Sequence, residues 1–158
     1  MLILNDDRAE IEAFIREGVS AFLKENPGVK PTCIALYCSP VNGWISLCID
    51  TDERFFTKTN CPDYSHAEFR LLDRPAWATE YESPHPIVQR HDLSVSKLAP
   101  SDGDDTYNEP FFLLLMKVSN DYYHHDNDVY RPKWAGVQIL DSRLHSFWGV
   151  HSRQKNAE

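Results

Sequence analysis

The chain has few glycines and lacks the short motifs that mark common catalytic sites. Only six of its 158 residues are glycine, so a phosphate-binding loop is hard to build, and no P-loop, G-x-G-x-x-G or G-x-S-x-G pattern occurs. No C-x-x-C, H-x-x-x-H or H-E-x-x-H spacing indicates a zinc site. These absences favour a function that needs neither catalysis nor a metal or cofactor.

Long apolar runs are also missing, and the charge is strongly of one sign. No stretch approaches the roughly 18 apolar residues that cross a bilayer. The N-terminus MLILNDDRAEIE turns acidic after four residues, so we expect a chain that begins at Met1 without a signal peptide. The formal charge of −8 disfavours nucleic acid and anionic membranes as partners. With 42% hydrophobic residues, the chain is predicted to form one globular domain over residues 1–158.

The N-terminal region predicts an amphipathic helix over residues 6–24. Its apolar residues recur at helical spacing, with charged residues on the opposite face. Asp6 or Asp7 is expected to cap the helix, and Asn26-Pro27-Gly28 to end it. The apolar positions are Ile11, Phe14, Ile15, Gly18, Phe22 and Leu23.

The stretch TCIALYCSPVNGWISLCID predicts a β-hairpin, because Asn42-Gly43 suits a two-residue type I′ turn. Pairing Val41 with Trp44 then opposes Cys38 to Leu47. Cys38 and Cys48 point to opposite sides of the sheet in this register, so they cannot form a disulfide, and a reducing cytoplasm is expected. One predicted face carries Ile34, Leu36, Cys38, Ile45, Leu47 and Ile49; the other carries Ala35, Tyr37, Trp44, Ser46 and Cys48.

The remaining elements are less uniform in pattern. Ser65-His66-Ala67-Glu68 matches a capping box and favours a short helix, with a strand as the competing interpretation. Residues 83–108 are expected to be mostly loop. The apolar block 111–118 favours a helix capped by Asn108, although a central strand fits the same pattern. Residues 136–141 and 145–150 predict late strands.

Together these elements predict an α+β fold, in which an N-terminal amphipathic helix packs on a mainly antiparallel sheet. A further helix is predicted near residues 109–122. The sequence shows no internal repeat.

Acidic and aromatic residues coincide in the second half of the chain. Residues 92–128 contain eight carboxylates against two lysines, with tyrosines interleaved. Such a mixture suits a protein interface, where rings supply contact area and carboxylates speed the capture of a basic partner. The alternative is that the rings pack in the core and the acids only confer solubility. The predicted partner-binding residues are Asp102, Asp104, Asp105, Tyr107, Glu109, Asp121, Tyr122, Tyr123, Asp126, Asp128 and Tyr130.

The histidine-rich stretch NDYYHHDNDVY supports a rival hypothesis. His124, His125 and Asp126, with Cys61, would serve a small hydrolase or a metal-dependent enzyme. Adjacent histidines diverge by about 100° in a helix or 180° in a strand, so they rarely bind one ion together. A regulatory or assembly subunit is the third possibility.

Three features in the first half of the chain resemble a known family. The N-terminal helix, the CIALYCSPVNGWISLCID hairpin and the segment FRLLDRPAWATEYES are similar to small acidic bacterial proteins of polymorphic-toxin and contact-dependent growth inhibition systems. The resemblance implies a cytoplasmic, non-catalytic immunity protein without a cofactor. Its expected partner is a cognate toxin domain with a basic surface, for example a nuclease.

Overall fold

The computed structural model describes residues 5–39, 42–52, 64–77, 105–125, 128–140 and 145–150. The described residues form two helices, α1 (Asn5–Glu25) and α2 (Asp105–His125). They also form five strands, β1 (Cys33–Ser39), β2 (Trp44–Asp50), β3 (His66–Asp73), β4 (Trp134–Ile139) and β5 (His145–Gly149).

The strands make one sheet in the order β3-β2-β1-β4-β5. Neighbouring strands are antiparallel except β1 and β4, which are parallel. Between β1 and β4 the chain passes through β2, β3 and α2, which gives the long connection that a parallel pair of strands needs. This architecture confirms the predicted α+β domain with an N-terminal helix packed on a mainly antiparallel sheet.

The hydrophobic core lies between the two helices and one side of the sheet, which we call the first face. Strand alternation turns every second residue of β1, β2 and β4 toward the helices. Burying each large aliphatic side chain there contributes about 1.5–3 kcal/mol. The first face consists of Ile34, Leu36, Cys38, Ile45, Leu47, Ile49, Ala135, Val137 and Ile139, all at most 2% exposed.

Helix α1 follows its predicted apolar stripe but begins earlier than its expected cap. Ile11, Ile15 and Phe22 are fully buried against the sheet. The helix begins at Asn5, before either aspartate that was expected to cap it. Asp7, only 3% exposed, instead accepts hydrogen bonds from the Arg74 guanidinium and the Trp77 indole N–H, because a buried carboxylate needs such partners.

The β1–β2 hairpin has the predicted faces but not the predicted register. Ser39 pairs with Trp44, so Cys38 lies opposite Ile45 and not Leu47. The predicted register would have placed Pro40 in the ladder, where it has no N–H to donate. The shift is two residues, which preserves the side of the sheet that each residue faces. Cys38 and Cys48 therefore point to opposite sides, as predicted.

The turn itself needs glycine at position 43. Gly43 has φ +72°, and its N–H donates to the Ser39 carbonyl at 2.8 Å. A β-carbon at this position would lie 2.3 Å from the Arg74 carbonyl oxygen. Any side chain here would force the hairpin away from the end of β3.

The capping-box prediction at residues 65–68 is wrong, and the competing strand interpretation is right. His66–Asp73 forms β3 because it pairs with β2 through Leu72 opposite Ile45 and Arg70 opposite Leu47. The pairing shifts between Leu47 and Ile49, and Glu68 adopts φ +52° at this irregularity. A bulge of this kind re-aims side chains at a sheet edge.

The helix predicted for residues 111–118 is confirmed, but its expected cap is not. α2 begins at Asp105, so Asn108 lies inside the helix. The late strands are confirmed as β4 and β5. Most of the predicted loop, residues 83–104, lies outside the described residues, and residues 105–108 are helical. Neither described helix is long and apolar enough to cross a membrane.

Candidate partner-binding surface

Two of the predicted contact residues, Tyr122 and Tyr123, lie in the core. They are 4% and 1% exposed, and their rings meet edge to face with centroids 5.0 Å apart. Helical spacing explains this, since Tyr122 follows Phe111, Leu115 and Val118 on one face of α2. Burial raises the pKa of the Tyr123 hydroxyl well above its usual value. The expectation that these rings form a recognition surface is therefore wrong.

Asp121 is held by cations of the same chain. Its Oδ2 accepts a hydrogen bond from Arg8 of α1 and lies 3.5 Å from Nζ of Lys117. The carboxylate therefore links α1 to α2, and a partner would have to compete with both cations. Asp121 contributes to the fold in this arrangement.

Beyond α2, the two described contact candidates differ in exposure. Tyr130 packs against the core, and its hydroxyl donates to the Pro31 carbonyl at 2.6 Å. Burial raises the pKa of this hydroxyl. Asp128 is exposed. Four of the predicted residues, Asp121, Tyr122, Tyr123 and Tyr130, thus serve internal contacts.

The other predicted contact residues are only partly covered by the structure. Asp105, Tyr107 and Glu109 lie in the first turns of α2. Asp102, Asp104 and Asp126 lie outside the described residues. The structure therefore does not describe the acidic segment as one continuous surface.

The residues of the rival enzyme hypothesis are likewise divided. His124 and His125 close α2, and His124 is half-buried. Cys61 and Asp126 lie outside the described residues. Within the described ranges, no group of three or more histidine, cysteine, aspartate or glutamate side chains is placed to hold a metal ion.

The side of the sheet opposite the helices, which we call the second face, has a different composition. Its centre is made of small buried residues, with Tyr64 packed on Cys33, Ala35 and Cys48. No described side chain of α1 or α2 belongs to this cluster. By strand register, the second face comprises Cys33, Ala35, Tyr37, Ser39, Trp44, Ser46, Cys48, Asp50, Leu71, Asp73, Trp134, Gly136, Gln138, His145, Phe147 and Gly149.

Aromatic rings surround this small-residue centre and remain partly accessible. Tyr37 and Trp44 meet edge to face with centroids 6.1 Å apart, and both are half-buried. On β5, Phe147 lies across Gly136, where a β-carbon would come within 2.1 Å of the ring. Glycine at 136 therefore lets the Phe147 ring lie close to the sheet. Half-buried rings around a small-residue centre are the kind of surface that partners use.

A buried carboxylate lies at one end of the second face. Asp50 is 1% exposed, and its Oδ1 accepts hydrogen bonds from the Ser65 hydroxyl at 2.9 Å and the Asp52 N–H at 2.7 Å. Burial raises the pKa of the neighbouring Cys33 thiol, and the Asp50 carboxylate raises it further. A thiol held neutral is a poor nucleophile and a poor metal ligand. This end of the face is therefore unsuited to cysteine chemistry.

The second face was visible in the sequence only in part. The hairpin pattern already placed Tyr37 and Trp44 beside Ala35, Ser46 and Cys48, which is not the charged composition of a solvated sheet face. The contributions of β3 and β5 depend on strand pairing that the sequence alone does not give. Leu71 in particular was hidden by the helix interpretation of its segment.

Comparison with models of protein families, with curated proteins and with solved structures gave no match to this chain.

Proposed function

We propose that this chain is a cytoplasmic, non-catalytic binding protein that neutralises a cognate toxin domain with a basic surface. The observation that carries the proposal is the second face, where half-buried rings surround small buried residues on the side away from both helices. Part of the acidic, tyrosine-rich segment that first suggested such a partner is internal. The second face of the sheet also combines carboxylates with aromatic rings.

The composition of the second face fits capture of a cation-rich protein. Tyr37, Trp44 and Phe147 offer large contact area at a small entropy cost. Asp73 is exposed at the end of β3, and the whole chain carries a formal charge of −8. Negative potential of this kind raises the association rate with a basic protein, while the rings determine how slowly the complex dissociates.

A toxin domain that handles phosphate would present the matching chemistry. Lysine and arginine side chains that hold a phosphate backbone form a basic surface, and an acidic aromatic protein can occupy it. Neutralisation then needs only occlusion, so the binding protein requires no catalytic group. This fits the resemblance of the N-terminal half to immunity proteins.

Co-expression tests the proposal directly. We expect the chain to restore growth of cells that express the toxin domain encoded beside its gene, and to co-purify with an inactive variant of that domain. A toxin domain from an unrelated gene pair is the control, and it should neither be neutralised nor co-purify. Failure both to rescue growth and to co-purify with the cognate domain would refute the proposal.

A further inference from the structure

Leu71 is the most exposed large apolar residue among those that the structure describes. Its side chain is 60% exposed on β3, which has one described neighbour in the sheet. Strand register places Leu71 opposite Ser46, and its neighbour two residues along, Asp73, opposite Trp44. The leucine therefore lies on the second face, beside the rings already described. An isolated exposed leucine is ordinary, but one beside aromatic rings extends an apolar patch.

The charged residues of β3 are sorted between the two faces. Arg70 lies on the first-face side, where its guanidinium is 3.4 Å from Glu25 of α1 and stands over the Phe69 ring. Glu68 lies in the irregular stretch of β3 opposite Cys48, which is a second-face residue. Burial raises the pKa of the Cys48 thiol, a Glu68 backbone hydrogen bond lowers it, and the nearby Glu68 carboxylate raises it again.

Glu68, Leu71 and Asp73, which we call the β3 strip, thus combine one exposed apolar side chain with two exposed carboxylates. Residues two apart on a strand are separated by about 6.6 Å, so Asp73 lies within one side-chain length of Leu71. The described ionisable residues of the second face include no lysine or arginine. The strip therefore presents an apolar centre in a negative field.

We propose that the β3 strip is the anchor point for the partner, and that it receives an apolar side chain flanked by lysine or arginine. The partner's apolar group covers Leu71 and the adjoining edge of Trp44, and its cations lie against Glu68 and Asp73. This inference rests on the proposed function, because it names the chemistry of the partner surface that the second face would bind.

A second copy of this chain fits the strip less well. Antiparallel pairing of two β3 strands about Leu71 would place the Glu68 and Asp73 carboxylates of both copies on the same side of the joined sheet. Like charges brought together on one side of paired strands are destabilising. The charge pattern therefore selects a cationic partner over self-association.

Substitution of Leu71 tests the apolar part of the strip. Leu71→Ser should weaken binding of the cognate toxin domain by at least about tenfold, which corresponds to about 1.4 kcal/mol, since it truncates a central apolar contact. Val29→Ser is the matched control, because Val29 is the other large apolar residue that is exposed in the described part of the chain, at 38%, and it lies between α1 and β1 rather than on the sheet. Both variants should retain the thermal stability of the parent chain, and Val29→Ser its affinity.

Substitution of the carboxylates tests the charged part. The double variant Glu68→Gln with Asp73→Asn should slow association with the toxin domain and weaken its dependence on salt. Glu17→Gln is the control, since Glu17 is an exposed carboxylate on α1. That substitution should leave the association rate within about twofold of the parent.

The outcomes separate this inference from the proposed function. If the parent chain binds and neutralises the toxin while Leu71→Ser and the double variant bind equally well, the β3 strip is not the anchor but the function stands. If the parent chain does not bind, both proposals fail together. Dimerisation of the free chain that Leu71→Ser abolishes would identify a second copy as the occupant and overturn the inference.

Discussion

The two faces of the sheet come from the same strands but have opposite compositions. The first face is almost uniformly aliphatic, fully buried, and covered by α1 and α2. The second face carries small residues at its centre, rings at its periphery and a buried carboxylate at one end. Alternation along each strand permits this division, because neighbouring residues belong to different environments. We therefore expect stability to be concentrated on the first face, while the second face offers the surface that we propose for binding.

The largest effect should come from opening a cavity on the first face. Leu47 is completely buried between β2 and the helices, so Leu47→Ala removes contacts that the surroundings cannot replace. We expect a loss of about 3 kcal/mol in the free energy of unfolding, measured by urea denaturation. Leu71→Ala, on the second face, should change it by less than about 0.5 kcal/mol. Equal losses at the two positions would contradict the division of stability between the faces.

The next largest effect concerns the ion pair that ties α1 to the chain after β3. Arg74 Nη1 lies 2.7 Å from Asp7 Oδ1, and Arg74 also contacts Glu10 and stands over the Trp77 ring. Arg74→Ala removes a charged partner from the buried Asp7 carboxylate, which keeps the hydrogen bond from the Trp77 indole N–H, 3.2 Å away. Removing one partner of a buried pair should cost about 2 kcal/mol.

Arg70→Ala is the matched control for Arg74→Ala. Its ion pair with Glu25 spans 3.4 Å, and both side chains are about half exposed, at 48% and 57%. Solvent screens such a pair, so thermal and urea unfolding should shift by less than about 0.5 kcal/mol. If Arg70→Ala were as harmful as Arg74→Ala, burial of Asp7 would not be the source of the effect.

The sequence predicted most of the fold where a local pattern and the tertiary environment agree. The stripe of α1, the faces of the β1–β2 hairpin and the late strands all follow from residue spacing. The errors arose where a local sequence pattern was outweighed by strand pairing or by the chemistry of a neighbouring residue. At Ser65–Glu68 the capping pattern predicted a helix, but the segment pairs with β2 as a strand. The register predicted from Asn42-Gly43 was wrong because it placed Pro40, which has no N–H to donate, in the ladder.

The candidate surface was harder to predict, because it depends on which side of an element faces the core. Tyr122 and Tyr123 were assigned to a surface on composition, although the spacing from Val118 to Tyr122 already continued the buried stripe of α2. Leu71 became visible only when the structure paired β3 with β2 and left that residue exposed. Charge and aromatic content indicated a kind of partner but not the residues that meet it.

A pH-dependent effect, smaller for each single thiol than the cavity at Leu47, should distinguish the thiols of the two faces. Burial raises the pKa of Cys38 on the first face and of Cys33 and Cys48 on the second. An unfolded thiol ionises near about pH 8.5, so the folded state holds more protons above that pH. The stabilisation is thus complete below about pH 8 and declines as the pH rises, by up to about 1.4 kcal/mol per pH unit for each thiol.

Urea unfolding between about pH 7 and pH 10 measures this decline. Cys38→Ala should flatten it more than Cys48→Ala, because hydrogen bonds from Glu68 and Ser46 offset part of the shift at Cys48. Stability that stays constant over this range would contradict burial of the thiols. A larger flattening by Cys48→Ala would mean that the second face is the drier of the two.

The smallest predicted effect is a gain in stability on the second face. Glu68 adopts φ +52°, a conformation that disfavours every residue with a β-carbon. Glu68→Gly should raise the free energy of unfolding by about 0.5–1 kcal/mol, because relief of this strain exceeds the entropy cost of glycine. Glu68→Ala keeps the β-carbon and should give no gain, so an equal rise in both variants would trace the effect to the lost charge. Glu68→Gly should also slow capture of the toxin domain. A variant that is more stable but slower to bind would show that the strained glutamate lowers stability and that its carboxylate is needed for binding.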